Sequence, residues 1–186
     1  MFFAVLGAAA ASAGTITFTE TITTSGSLDG TGFTNQLVTL TLTGNTSSIT
    51  NPSSGLYELI GAASVSVSGI GTDTFTDTME AFDNQSLNWA GIADETTGGI
   101  VVLLTTNAAF GSYALNTSIG PYSGGSLGNP GTSFPTALET FTITGALNVD
   151  HPSAFTASTA GAPEPGTFMM LGAGIGLVLF GRRLVR

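Results

Sequence analysis

The chain contains no lysine and no cysteine, and its only three arginines lie among its last five residues. Residues 1–181 therefore carry twelve acidic side chains and neither Lys nor Arg. Because proteins bind nucleic acids and anionic lipids mainly through Lys and Arg contacts to phosphates, this composition argues against a nucleic-acid partner. The lack of cysteine excludes disulfides, thiolate catalysis and cysteine-ligated zinc.

Charged residues make up only 8% of the chain, whereas hydrophobic residues make up 42%. A disordered acidic tail shows the opposite balance, so we expect a folded protein. Domains usually contain about 100–200 residues, and this chain has 186. The length therefore predicts one domain with one sizeable core.

Alternating apolar and Thr residues run through the middle of the chain. The stretch TITFTETITT (Thr15–Thr24) places Ile, Phe and Glu20 on one face and Thr residues on the other, a period of two that predicts a half-buried strand. The alternation recurs in Val38–Thr43, Ser64–Ser68 and Thr140–Val149. The apolar run Ile100–Leu104 predicts a strand buried on both faces. Because Gly-, Pro-, Asn- and Ser-rich turns separate these segments, residues 14–161 are predicted to form an all-β domain, an antiparallel β-sandwich or barrel.

The Thr-rich strand faces have three interpretations. Thr favours strands and makes an uncharged outer face. A flat Thr-x-Thr array is typical of ice-binding proteins, although no fixed repeat period links the Thr segments here. A hydroxyl-rich surface also suits glycan contact or attachment, and an aromatic platform near Trp89 and Tyr122 would favour a carbohydrate-binding module.

The first fourteen residues, MFFAVLGAAAASAG, form an apolar run that ends in small residues. Ala11-Ser12-Ala13 has the small-x-small form that signal peptidase accepts, which predicts a signal peptide at residues 1–13 and cleavage before Gly14. The run lacks the Lys or Arg with which such signals normally begin, so we expect its true start to be truncated. The alternative is a buried N-terminal strand or helix of the domain.

An uncharged apolar stretch, Thr167–Gly181, lies near the other end of the chain. As a helix it would measure roughly 22 Å, against about 30 Å for the hydrocarbon core. The helix can still span the membrane, because the flanking Arg side chains extend to the lipid–water interface and the bilayer thins locally. Arg182, Arg183 and Arg186 follow it, and the positive-inside rule places them in the cytoplasm and the domain on the far side. The alternative is a C-terminal core helix.

Pro163-Glu164-Pro165, the apolar stretch and the arginines occur in that order within residues 162–186. This arrangement resembles the PEP-CTERM sorting signal of Gram-negative bacteria that make extracellular polysaccharide. The resemblance implies recognition by an exosortase, a membrane-embedded transpeptidase-like enzyme, and cleavage near Pro-Glu-Pro. The same tail is found on unrelated proteins, including some described as ice-binding, so it implies a sorting route rather than a biochemical activity.

Candidate catalytic residues are few. His151 is the only histidine, and no Gly-x-Ser-x-Gly motif accompanies it, so we expect no Ser-His-Asp triad. Two carboxylate pairs could supply the acid and base of a hydrolase. They are Asp73 and Asp77, which the pattern places on one strand face, and Asp94 and Glu95 in a predicted turn.

Calcium is an open alternative, because an acidic extracellular domain offers oxygen ligands without counter-charge. The segment Asp83–Ser86 supplies several such oxygens in one predicted turn. It lacks the third ligand position, the Gly and the distant Glu of an EF-hand, and an ordinary polar turn explains it equally. Asp73 and Asp77 form a second candidate cluster. We predict no cofactor and no metal site.

These observations together predict an exported, non-enzymatic, all-β surface or extracellular-matrix protein. We expect a precursor anchored in the inner membrane by its C-terminal helix, exosortase as a partner, and a mature form at the cell surface or outside the cell. Association with exopolysaccharide or biofilm is the expected role. A carbohydrate-binding or ice-binding module and an exported hydrolase are the alternatives.

Overall fold

A computed structural model describes residues 14–160. The predicted signal peptide, the Pro-Glu-Pro motif, the membrane helix and the arginine cluster lie outside the described residues. Twelve strands and two short 3₁₀ helices, Thr46–Ser48 and Ala108–Ser112, make up the regular structure of this part of the chain. The strands are β1 (Thr15–Leu28), β2 (Thr31–Asn45), β3 (Thr50–Ser53), β4 (Leu56–Val67), β5 (Gly71–Thr74), β6 (Met79–Asn84), β7 (Trp89–Asp94), β8 (Ile100–Thr106), β9 (Ile119–Leu127), β10 (Ser133–Pro135), β11 (Thr140–Ile143) and β12 (Pro152–Thr159). Between residues 14 and 160 we find no helix with the length and hydropathy needed to cross a bilayer.

Eight strands close into an antiparallel barrel in the order β1-β12-β9-β8-β7-β6-β4-β2, with β2 pairing back onto β1. The short strands extend this wall: β3 and β5 pair with β4, and β11 pairs with β1 and β10. The prediction of an antiparallel all-β domain is confirmed. Of the two architectures that the sequence left open, the structure is the barrel.

The hairpin of β1 and β2 is the longest in the barrel and follows the sequence pattern directly. Its strands are joined by Asp29 and Gly30, with φ of 50° and 73°. Positive φ at both turn positions gives the type I′ turn, whose twist matches that of the paired strands. Six apolar residues of the two strands are buried and point inward, namely Ile16, Phe18, Ile22, Val38, Leu40 and Leu42. The Thr residues that alternate with them between positions 15 and 23 and between positions 39 and 43 lie on the outer face.

An aromatic cluster fills part of the barrel interior. Phe155 of β12 has its ring centroid 6.0 Å from that of Phe18, 5.5 Å from that of Phe110 and 6.3 Å from that of Tyr113. Phe110 belongs to the second 3₁₀ helix, and both it and Phe155 are fully buried. The cluster therefore ties this helix to β1 and β12.

Two strand predictions have different outcomes. The apolar run Ile100–Leu104 lies in β8, and its last three residues are buried, as expected for a strand covered on both faces. The prediction of one alternating segment over Thr140–Val149 is wrong beyond Ile143, where β11 ends. The backbone N–H groups of Thr144 and Gly145 both donate to the carbonyl of Ser25, so the chain turns away and Val149 is 80% exposed.

Candidate functional site

A groove of about 410 Å³ lies on the outer wall of the barrel across β4, β6, β7 and β8. The register of the paired strands determines which residues line the groove. Glu58 of β4 is opposite Phe82 of β6, and Asn84 of β6 is opposite Trp89 of β7. Side chains of paired residues share one face of a sheet. Glu80 lies on this outer face as well, two residues before Phe82. We call this feature the groove.

An apolar cluster outside the barrel forms the floor of the groove. Phe82, Ala93 and Leu104 are buried there, and Trp89 and Val101 pack against them. Strand β6 is therefore covered on both faces, because its alternate residues fill the barrel interior. The sequence MEAFDN shows no alternation for the same reason, which is why the pattern did not predict this strand.

Three carboxylates line the groove: Glu58, Glu80 and Glu95. Glu80 is only 6% exposed, and no residue of the described chain donates a hydrogen bond to its carboxylate. Burial, and then the charges of Glu58 and Glu95, raise the pKa of Glu80 to about 7. Burial and the charge of Glu95 also raise the pKa of Glu58. The groove thus combines aromatic side chains with carboxylates that have no positively charged partner within residues 14–160.

A second polar cluster lies inside the barrel and is closed to solvent. Glu20 Oε1 accepts a hydrogen bond from Thr105 Oγ1 at 2.5 Å, and Thr105 Oγ1 lies 2.6 Å from Ser153 Oγ. Burial raises the pKa of Glu20 well above its usual value. Asp83 is also fully buried, neither of its carboxyl oxygens has a hydrogen-bond partner within the described chain, and burial raises its pKa to about 8. Asp83 is therefore neutral in the folded protein under mildly acidic conditions.

The structure separates the first carboxylate pair that the sequence suggested. Asp73 is in β5, where its carboxylate accepts from the backbone N–H groups of Leu138 and Thr74 at 2.8 and 2.7 Å. The hydrogen bond from Leu138 contributes most to the lowered pKa of Asp73. Strand β5 ends at Thr74, and Asp77 lies in a bend beyond it, so the prediction of a shared strand face is wrong. Asp77 instead lies near Asp94, which adds to the effect of burial in raising its pKa.

The second pair, Asp94 and Glu95, is only partly in a turn. Asp94 is the last residue of β7 and is buried, whereas Glu95 follows it in the turn and reaches the groove. His151 is exposed, and its Nδ1 lies 3.1 Å from Asn148 Oδ1. Ser126 Oγ donates to the backbone carbonyl of His151 at 2.6 Å, not to the imidazole ring. The histidine ring therefore has an amide as its partner.

The segment Asp83–Ser86 does not form the predicted turn of oxygen ligands. Asp83 and Asn84 belong to β6, and the carboxyl of Asp83 is buried. Asn84 Oδ1 accepts from Ser86 Oγ at 2.7 Å, and Gln85 Nε2 donates to the carbonyl of Tyr113 at 2.6 Å. Over residues 14–160 we find no group of three or more acidic or histidine side chains arranged to hold a metal ion.

The Thr residues form a regular hydroxyl face on the wall away from the groove. We define it by its cross-strand partners, which are Thr156, Thr19, Thr41 and Ser64 in one row, Thr21, Thr39 and Ser66 in a second, and Thr17 and Thr43 in a third. The strands involved, β12, β1, β2 and β4, are neighbours and form half of the eight-stranded wall. The face is thus regular but curved, unlike the flat array expected for ice binding.

The two aromatic residues proposed as a platform have different surroundings. Trp89 lines the groove, whereas Tyr122 of β9 packs edge-on against Phe110 with centroids 6.2 Å apart. Sequence reasoning missed Glu58 and Glu80 as site residues. The sequence did contain a signal, because each is a Glu within an apolar strand segment. Ionisable side chains are rarely buried, and those that are often belong to functional sites.

Comparison with protein-family models, with curated proteins and with solved structures finds no match to this chain.

Proposed function

We propose that the chain is an exported, non-enzymatic surface or extracellular-matrix protein whose groove binds polysaccharide. The observation that supports this most is the position of Trp89 beside Glu58, Glu80 and Asn84 in one open groove. An indole face packs on the apolar face of a sugar ring, while carboxylate oxygens accept hydrogen bonds from its hydroxyls and a side-chain amide N–H donates to them. Binding sites of this kind combine an apolar surface with a few converging polar groups.

Processing by an exosortase belongs to the same proposal. It is supported by the sequence motif and by the positions of the predicted cleavage sites. Gly14 immediately precedes β1, and Pro163–Pro165 come four to six residues after β12 ends at Thr159. Strands β1 and β12 pair with each other, and the N–H of Ala160 donates to the carbonyl of Thr15 at 2.9 Å. Removal of both terminal segments would therefore leave the strand pairing of the barrel intact.

Replacing Trp89 with Ala should weaken the binding of oligosaccharides about tenfold or more, because the indole is the largest side chain that lines the groove. The measurement is isothermal titration calorimetry with a panel of β-linked pentasaccharides. Tyr122→Ala is the control, since it removes a partly exposed aromatic ring elsewhere on the barrel and should leave affinity unchanged. Equal affinities for wild type and Trp89→Ala would contradict binding at the groove.

The same assays address the hydrolase alternative. A carboxyl whose pKa is near 7 beside ionised carboxylates is what a glycosidase uses as its acid, and Glu80 has this property. Under the non-enzymatic proposal, no reducing ends are released from the pentasaccharides. If the wild type releases reducing ends and Glu80→Gln does not, the protein is instead a glycoside hydrolase.

Intact mass spectrometry tests the sorting part of the proposal. Protein recovered from the envelope and medium of the native host should begin at Gly14 and end near Pro163, but only when the exosortase is present. Glu164→Ala should prevent the C-terminal cut, because it alters the recognition motif. A mature protein that still ends in Arg186 would contradict processing and indicate a permanent anchor or a core helix.

A further inference from the structure

The groove carries negative charge that nothing in the described chain balances. Residues 14–160 contain no Lys or Arg, and the single histidine, His151, is bound to Asn148 outside the groove. Glu80 is the most informative member of the trio, because it is 6% exposed, it lines the groove, and no described residue donates to it. A carboxylate that has lost most of its hydration is costly when ionised, and a positively charged ligand group in the groove would offset that cost.

The chemistry of the groove limits which class of ligand can balance its negative charge. The carboxylates of Glu58, Glu80 and Glu95 are not arranged as metal ligands within the described residues. An ammonium group needs only one or two carboxylate contacts at hydrogen-bond distance. It is also attracted to the face of an indole, and Trp89 lies in the same groove. A neutral sugar hydroxyl donates one hydrogen bond and brings no charge.

We propose that the groove selects a polysaccharide with free amino groups, such as a partly deacetylated hexosamine polymer, and that Glu80 contacts the ammonium group of the bound sugar. This inference rests on the proposed polysaccharide-binding function and specifies its ligand. Glu58 and Glu95 add attraction over a longer range, and Trp89 packs against the sugar ring. Charge complementarity is the basis of the selection, since the charged side chains that line the groove are all carboxylates and the ammonium group of the ligand supplies the positive charge.

Three pentasaccharides that share a β-linked backbone test the proposal: the glucosamine pentamer, the N-acetylglucosamine pentamer and cellopentaose. Titrations are made near neutral pH, because the pKa of Glu80 is about 7 and a more acidic solution would protonate its carboxylate, and at physiological salt, so that distant charges are screened. Wild-type protein should bind the glucosamine pentamer about tenfold more tightly than the other two, which corresponds to one charge-assisted hydrogen bond. Glu80→Gln should abolish this preference.

Asp150→Asn is the matched control, because it removes one exposed negative charge away from the groove. If both substitutions reduce the preference equally, the attraction comes from the overall charge of the protein and the proposal is overturned. Glu80→Gln removes charge repulsion in the folded state, so it should unfold at no lower urea concentration than wild type. That measurement ensures that a lost preference is not a folding defect.

The outcomes also separate this inference from the function on which it rests. Equal affinity for all three pentamers, lost in Trp89→Ala, would leave polysaccharide binding standing and overturn amine selection. Failure of all three to bind would overturn the proposed function itself. Tighter binding of the acetylated pentamer would also overturn amine selection, because the acetyl group removes the charge and adds bulk.

Discussion

Lowering the pH from about 8 to about 4 should stabilise the barrel by several kcal/mol. The cause is a set of three buried carboxyls, Glu20, Glu80 and Asp83, whose pKa values are all raised by burial. A raised pKa in the folded state means that the folded chain binds more protons than the unfolded chain. The stabilising contribution is therefore complete below the unfolded pKa values and is lost as the pH rises through the folded ones.

The size of the effect follows from the individual shifts. The pKa of Asp83 rises from 3.8 to about 8, and that of Glu80 rises from 4.5 to about 7. At about 1.4 kcal/mol per pKa unit, these shifts correspond to about 6 and about 3 kcal/mol. Local relaxation and solvent screening reduce such contributions, so we expect a total change of about 4 kcal/mol. Domains are stable by only about 5–15 kcal/mol, so the change is a large fraction of the total.

One carboxyl acts in the opposite direction but outside this range. Backbone hydrogen bonds lower the pKa of Asp73, so its stabilising contribution is present above its unfolded pKa and disappears only when the pH falls below 3.8. Urea unfolding followed by the fluorescence of Trp89, the only tryptophan, measures the free energy of unfolding at each pH. Asp83→Asn should flatten the profile, because it removes the group whose pKa rises from 3.8 to about 8 in the folded protein. A free energy of unfolding that rises with pH would contradict the account.

Much of the wall of the barrel could be predicted because its pattern is local. In Thr15–Thr24 the period of two fixes which side chains point inward, and the structure buries Glu20 on the predicted apolar face. Closure of the barrel depends on β12 pairing with both β1 and β9, and these contacts join residues far apart in the chain. A single sequence does not show which distant strands pair, so it could not distinguish a β-sandwich from a β-barrel.

The groove could not be predicted for a related reason. It brings together residues of β4, β6 and β7, and although Glu58 and Glu80 stand out as carboxyls within apolar segments, nothing in either segment shows that the two line the same groove. Glu80 and Asp83 are three residues apart in β6 and therefore lie on opposite faces, Glu80 in the groove and Asp83 inside the barrel. Their roles depend on β6 being covered on both faces, and that covering is a property of the tertiary structure. The predictions of Asp73 with Asp77 and of Asp83–Ser86 failed because strand ends were misplaced there.

Replacing Phe155 with Ala should cost about 3–5 kcal/mol in the free energy of unfolding, because it leaves a large cavity in the centre of the aromatic cluster. The ring is fully buried and contacts Phe18, Phe110 and Tyr113, so three rings lose a neighbour at once. Those rings belong to β1, to the second 3₁₀ helix and to the loop after it, and they cannot all move into the space.

Urea unfolding of Phe155→Ala is best measured at acidic pH, where the wild type is expected to be most stable and the variant retains enough structure for a folded baseline. Tyr122→Ala is the matched control, since its ring also contacts Phe110 but is 39% exposed. Tyr122→Ala should lower the free energy of unfolding by about 1 kcal/mol, because water fills the space that the exposed ring leaves and no empty cavity forms. Equal losses in the two variants would mean that the interior around Phe155 collapses freely, and that the cluster does not hold the 3₁₀ helix against β1 and β12.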